Sequence, residues 1–150
     1  MFLLDSNVYI AGFNDPAFGA AFRAFHQQHL PRILLSAVVA HELLVGARDR
    51  HAERALRRAI IEPFRARGRI HVPGVGTWEH AAELDRRLRA LGGFGASLAK
   101  RSFANDLLIA VSARETGATI VTRNLADFEL VGKVADIRYE PPWPGPAPAA

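Results

Sequence analysis

Four acidic side chains, Asp5, Glu42, Asp106 and Asp127, stand beside short apolar runs along most of the chain. Asp5 closes Phe2-Leu3-Leu4. Glu42 is the only charge between residues 37 and 47, Asp106 opens the run Leu107-Leu108-Ile109-Ala110-Val111, and Asp127 follows Asn124 three residues on. Each has a local explanation. An acid in a first helical turn meets free N–H groups and the helix dipole, which suits Asp5 and Asp106, with Asn105 an alternative cap for the same helix. Asn124 and Asp127 have the spacing of a capping box. Glu42 fits least well, because a buried, unpaired carboxylate costs several kcal/mol or gives up its charge, unless an arginine or an exposed helix edge relieves it. Taken together, the acids suggest different chemistry. Three or four carboxylates do not stay ionised side by side without a cation. With 0 cysteines in the chain, oxygen donors alone select a hard ion, Mg²⁺ or Mn²⁺. Such an ion lowers the pKa of a bound water and neutralises phosphoryl charge, which is phosphodiester chemistry.

The acids converge only if the elements carrying them are adjacent. Short apolar runs at 2–4, 33–35, 70–72, 118–122 and 137–139 read as buried strands. Between them lie helical patterns. Pro16 opens one with Phe18, Ala21, Phe22 and Phe25 on a stripe, assigned to the core rather than to a dimer surface, and Pro31 ends it. Residues 37–45 are apolar nearly all round and should be buried, up to the stop at Gly46. A basic helix through Ala52, Ala55, Leu56, Ala59 and Ile60 is kinked or ended at Pro63. Thr77 reads as the cap of a helix burying Ala81, Leu84, Leu88 and Leu91, and Gly92, Gly93 and Gly95 as a flexible loop. A second buried helix spans about 103–115 and stops at Gly117. Strands alternating with helices predict an α/β fold with a mainly parallel central sheet and helices on both faces. In such sheets ligands sit beyond the carboxyl ends of the strands, where these acids fall.

The 150 residues, 49% hydrophobic, suit one domain over 1–140. A Pro-rich tail follows at 141–150, extended or disordered, with Trp143 placed to dock back on the body. No apolar run nears the ~20 residues of a membrane helix, and the start of the chain lacks the basic and apolar regions of a secretory signal, so a soluble cytoplasmic protein is expected. The net charge of +4 is uneven: 48–69 and 86–101 each carry +5, leaving −6 elsewhere. Basic stretches suit a phosphate backbone and equally suit solvated helix faces. Arg101 and Lys100 are candidates for backbone contacts on the same footing. Other chemistries lose support. After His41-Glu42 a zinc-protease helix needs a second histidine at Val45, and Gly74-Val75-Gly76 lacks the third glycine of a dinucleotide loop. His26 and His29 share a helix face and read as surface residues rather than zinc ligands.

The motifs around the acids resemble those of a known family. Leu3-Leu4-Asp5-Ser6-Asn7 looks like the opening of PIN-domain nucleases, and Leu35-Ser36 through Val45-Gly46 like their second motif. Asn105-Asp106-Leu107-Leu108-Ile109-Ala110 and Val121-Thr122-Arg123-Asn124-Leu125-Ala126-Asp127-Phe128 look like the third and fourth, in the same order. The size is similar to VapC toxins of toxin–antitoxin pairs. The resemblance implies a Mg²⁺- or Mn²⁺-dependent endoribonuclease, usually a homodimer, held in check by a cognate antitoxin. It implies that Asp5, Glu42 and Asp106 are catalytic and match the family's metal-binding acids, caging the ion together, with Asp5 and Asp106 its ligands. Asn124 stands where many members have a fourth acid, a role Asp127 can take directly or through water. Ser6 keeps the hydroxyl of a more usual threonine, Asn7 belongs to the same motif, and Thr122 is a candidate to bond a phosphate or a metal-bound water. RNA would be read by shape and by single-stranded bases. A rival reading takes Asn124 as the symptom of a degenerate member that binds RNA or a protein partner without cutting.

Overall fold

The computed structural model describes residues 1–143. Five strands form one parallel sheet: β1 (Phe2–Leu4), β2 (Ile33–Ser36), β3 (Ile70–His71), β4 (Thr119–Val121) and β5 (Arg138–Glu140), in the order β3-β2-β1-β4-β5. All four pairings are parallel. The central strand, β1, sets Phe2 opposite both Ile33 and Thr119, and Leu3 and Leu4 are fully buried, as a strand covered on both faces requires. The chain steps from β1 outward through β2 to β3, then returns to the other side of β1 for β4 and β5. The parallel α/β architecture is therefore the expected one, with β1 where the sequence places it and the bounds of the other strands within one residue of their sequence estimates.

The helices are α1 (Ser6–Asn14), α2 (Pro16–His29), α3 (Ala37–Val45), α4 (Arg50–Leu56), α5 (Glu62–Ala66), α6 (Val75–Leu91), α7 (Gly95–Leu98), α8 (Phe103–Thr116) and α9 (Leu125–Val131). α8 is the buried helix the sequence suggests: all residues from Asp106 to Ala113 are buried. α3 is less so. Val38, Val39 and Leu43 face inward, but Val45 is 72% exposed and His41 also faces solvent, because the helix packs on α1, β2 and α8 along one side only.

Several local expectations need correction. Pro63 does not end the basic helix. One π-helical turn at Arg57–Ile61 joins α4 to α5, its last bond running from Glu62 N–H to Arg57 carbonyl. The wider turn accommodates a proline that has no N–H to give and whose ring would crowd the preceding turn. Thr77 is the third residue of α6 rather than its cap. Gly74 is the cap, and the Thr77 hydroxyl accepts from Gly74 N–H at 3.2 Å while donating to the Glu115 carboxylate at 3.0 Å. Of the three loop glycines only Gly92 and Gly93 need positive φ, and Gly95 opens α7. His26 and His29 are not surface residues. His26 packs among Tyr9, Phe22 and Phe64, with Nε2 buried, and His29 packs against Phe2 and Phe25. Their helix face is the inner one.

Phe22 is buried, as assigned, and Phe18 packs against it. Trp143 does dock back: its ring stacks on Phe25 at 3.4 Å between centroids and lies parallel to Phe18 at 6.5 Å. The rest of the Pro-rich tail, 144–150, lies outside the described residues. No helix among the described residues is long and apolar enough to cross a membrane.

The α1–α2 contact depends on the absence of a side chain. A Cβ on Gly12 would fall 2.5 Å from Phe22 Cγ, and Tyr9 and His26 hold that ring in place. Gly12→Ala gains up to about 1 kcal/mol of helix propensity but overpacks at about 1–3 kcal/mol. A net loss, read as a lower urea midpoint, is expected, and adding Phe22→Leu should restore part of it. A stabilised Gly12→Ala would contradict this packing.

Candidate active site

The order of strands reverses between β1 and β4, and a crevice opens past the carboxyl ends of strands at such a point. The first residues beyond the two strands, Asp5 and Thr122, meet there. Asp5 N–H donates to the Val121 carbonyl at 2.9 Å. Its Oδ1 accepts from Ser6 N–H at 2.7 Å and so caps α1, while Oδ2 accepts from Thr122 Oγ1 and Asn7 Nδ2, both at 2.7 Å. The capping role is real, and it uses only one oxygen. Asn7 also fastens the far strand, since its Oδ1 accepts from Arg123 N–H at 3.0 Å. Thr122 is fully buried and its hydroxyl accepts from Asn124 N–H at 2.9 Å. That hydroxyl is thus engaged in orienting Asp5 rather than open to a phosphate.

α3 and α8 bring the next two acids. Glu42 is half-buried and has no arginine. Its Oε1 accepts from Asn105 Nδ2 at 2.8 Å. Asn105 is therefore not the cap of α8, which begins at Phe103 after Ser102. Nor does Asp106 cap it. Asp106 is 5% exposed, and its Oδ2 is buried without a hydrogen-bond partner. Asp127, in the first turn of α9, has no such want. Lys100 Nζ stands 3.2 Å from Oδ1 and 3.5 Å from Oδ2, and Asn124 Nδ2 donates to Oδ2 at 2.6 Å. Asn124 precedes α9 but bonds side chain to side chain, so no capping box forms. Ser6 contributes its backbone N–H, and Arg101 is exposed with no hydrogen bond or ion pair to the four acids among the described residues.

The four acids sense one another. Burial raises the Asp106 carboxyl to about 8, and the charges of Asp5, Asp127 and Glu42, in that order, add to the effect. A protonated Asp106 can donate its proton to Asp127, which raises its hold on that proton further. Burial also raises Asp5, against the lowering pull of Thr122 and Ser6, and Glu42 raises it further. Asp5, Glu42 and Asp127 thus all lie near enough to Asp106 for their charges to act on it.

A cage of three acids is not what they form. Among the described residues no group of three His, Cys, Asp or Glu side chains is spaced to hold an ion. The donor chemistry still fits a hard cation. An unpartnered buried carboxylate oxygen on Asp106, with Asp5 the strongest charge beside it, supplies two protein ligands of the right type. Mg²⁺ is commonly held by one or two carboxylates and keeps several waters, so two suffice. Two residues of the cluster escaped sequence reasoning. Asn105 looked like a cap, and the tie from Lys100 to Asp127 spans 27 positions with no local signal.

A five-stranded parallel sheet whose switch point opens onto Asp5 and, around Asp106, three further acids defines an α/β fold with an acidic crevice. The chain belongs to the PIN domain family, whose model matches residues 2–134. Within that family it is VapC-like. It is 33% identical over 137 residues to the tRNA(fMet)-specific endonuclease VapC of Shigella flexneri, covering 87% of this chain and 92% of that protein. Solved structures share the fold. FitAB bound to an IR36 DNA fragment matches with a TM-score of 0.73 at 22% identity, over 99% of this chain and 100% of that one. DNA-bound VapBC from Salmonella typhimurium matches with a TM-score of 0.67 at 24% identity, over 93% and 96%.

The raised Asp106 carboxyl makes stability depend on pH. The folded chain holds a proton there up to about pH 8, whereas an unfolded chain releases it near 3.8. The folded state thus gains most below the unfolded value and loses that gain as pH rises through the folded one. In EDTA the melting temperature should fall between about pH 5 and 8, and Asp106→Asn should fall by less than half as much. Parallel profiles for the two proteins would show that Asp106 is not the group responsible.

Proposed function

We propose that this chain is a divalent-metal-dependent endoribonuclease and the toxin of a toxin–antitoxin pair, acting on RNA in the cytoplasm. The observation that carries the reading is Asp106, a buried carboxylate left with an unpartnered oxygen beside three other acids in a PIN-domain chain. Asp5 and Asp106 would hold Mg²⁺ or Mn²⁺. When bound, the ion supplies a water of lowered pKa and neutralises charge on the scissile phosphate. The protein's own residues do the positioning. Thr122, Asn7 and Ser6 N–H fix the Asp5 carboxylate. Asn105 holds Glu42 by Oε1, and Oε2 is then the oxygen suited to accept the proton of the attacking water. Asp127 fills the fourth acidic position, oriented by Asn124. Exposed arginines of α4, the π-helical turn and α5, Arg54, Arg58 and Arg65, offer charge for a phosphate backbone.

The partner reading rests on a second feature. α1, α3 and α4 enclose an apolar groove of about 470 Å³ lined by Ile10, Phe13, Leu43, Ala52, Leu56 and Ala59, with Ile10 and Phe13 about half exposed. An apolar segment of a cognate antitoxin is the occupant in this reading, which the match to a toxin–antitoxin complex from Klebsiella pneumoniae supports. A homodimer belongs to the same reading, and the exposed Val72, Val75 and Trp78 at the start of α6 are apolar surface suited to it.

Purified protein should cut single-stranded RNA with Mg²⁺ or Mn²⁺ and stop in EDTA. Asp5→Asn and Asp106→Asn should each lower the rate roughly a hundredfold or more with the fold intact by circular dichroism. RNA bound but never cut with either metal would favour the binding-only alternative, and full activity in Asp106→Asn would refute the site. Phe13→Asp should weaken binding of a cognate antitoxin by about tenfold or more while leaving RNA cleavage in place. Unchanged binding would remove the groove from the partner surface.

A further inference from the structure

Lys100 holds an unusual place in an acidic site. Its backbone is pinned in the turn between α7 and α8, where its N–H donates to the Ser97 carbonyl at 3.2 Å and its carbonyl accepts from Phe103 N–H at 3.1 Å. From there the side chain reaches Asp127, 4% exposed at the side chain, and meets both of its oxygens. Asn124 adds a donor to Oδ2. Every Asp127 oxygen therefore already has a donor, one of them a full positive charge, whereas Asp106 beside it has an oxygen with none. The Lys100 side chain is itself 52% exposed, so its ammonium closes the outer side of the cluster rather than its floor.

Two-metal phosphodiesterases set their ions about 3.5–4 Å apart between shared carboxylates. The cluster here offers two such half-sites, one at Asp5 and Asp106 and one at Asp106 and Asp127. A divalent ion at the second would have to displace the ammonium from Asp127 or sit against it, and like charges at that range repel strongly. We infer that Lys100 takes the place of a second metal ion: it occupies Asp127 as a fixed cation, so the site loads a single divalent ion at Asp5 and Asp106. Asp127 is then a carboxylate held for charge and orientation rather than a ligand, and Lys100 is a positioning residue. The inference rests on the metal reading above and adds the number of ions to it.

Mn²⁺ titration followed by the electron-paramagnetic-resonance signal of free Mn²⁺ counts bound ions without reference to cleavage. Wild-type protein should bind one Mn²⁺ per chain, and Lys100→Arg, which keeps the charge, should also bind one. Lys100→Met and Lys100→Gln, which remove the charge from a half-exposed side chain, should bind two. Two ions in the wild type, or one in both neutral variants, would overturn the role given to Lys100 while leaving the metal reading intact. No Mn²⁺ bound by the wild type would refute the metal reading and this inference with it.

Discussion

The architecture of this protein turns on keeping negative charge where water cannot screen it. Asp106 lies inside a helix whose next seven residues are all buried, and three other carboxylates raise its affinity for a proton. A fold optimised for stability alone would place an apolar residue there, because removing an ionised carboxylate from water costs several kcal/mol unless something compensates. The structure spreads that cost. Asp5 rests on the Ser6 N–H, the Thr122 hydroxyl and the Asn7 amide, Glu42 on an amide, and Asp127 on an amide and an ammonium. Among the described residues Asp106 is the one of the four acids left with a fully buried oxygen that has no partner. A cation is the simplest partner that can satisfy it without first removing its charge.

The supporting groups are mostly neutral. Thr122, Asn7, Asn105 and Asn124 donate hydrogen bonds and leave the net charge unchanged. Such donors orient a carboxylate yet leave the local field strongly negative, as cation binding requires. Lys100 is the exception, and it is confined to the acid farthest along the chain. The parallel sheet makes this division workable. Because β1 and β4 are neighbours, Asp5 and Thr122 are brought together across 117 positions by strand pairing alone, before any side chain chooses a partner.

The apolar runs were legible in the sequence because strands buried on both faces leave little room for polar residues. Phe2-Leu3-Leu4, Ile33-Leu34-Leu35 and Thr119-Ile120-Val121 each became a strand of the parallel sheet. The gathering of the acids followed from that topology and from four motifs in order. What escaped were choices made by tertiary contacts. Asn105 has the residue type of a cap but turns toward Glu42, because α3 crosses α8 at that level. His26 has a polar ring, yet it sits among Tyr9, Phe22 and Phe64, where its apolar edges matter more than its nitrogens. Pro63 usually halts a helix, but one wide turn carries this helix past it. Lys100 sat in a run of basic residues that gave no hint of which one would face inward. None of these outcomes is encoded in spacing along one element. Each depends on which second element arrives.

The position of β4 bears on when the molecule can become dangerous to its maker. The central strand and its partner β2 are made early, but its other partner at 119–121 and the threonine that orients Asp5 come more than eighty residues after β2. A nascent copy interrupted before that point has Asp5 and Glu42 but neither the neighbouring strand nor Asp127 to complete the cluster. For a polypeptide that cleaves RNA as proposed, this order of synthesis is a safeguard. The acidic centre assembles only once residues 119–127 have been made, so shorter fragments released in the cell carry the first half of a blade without its edge.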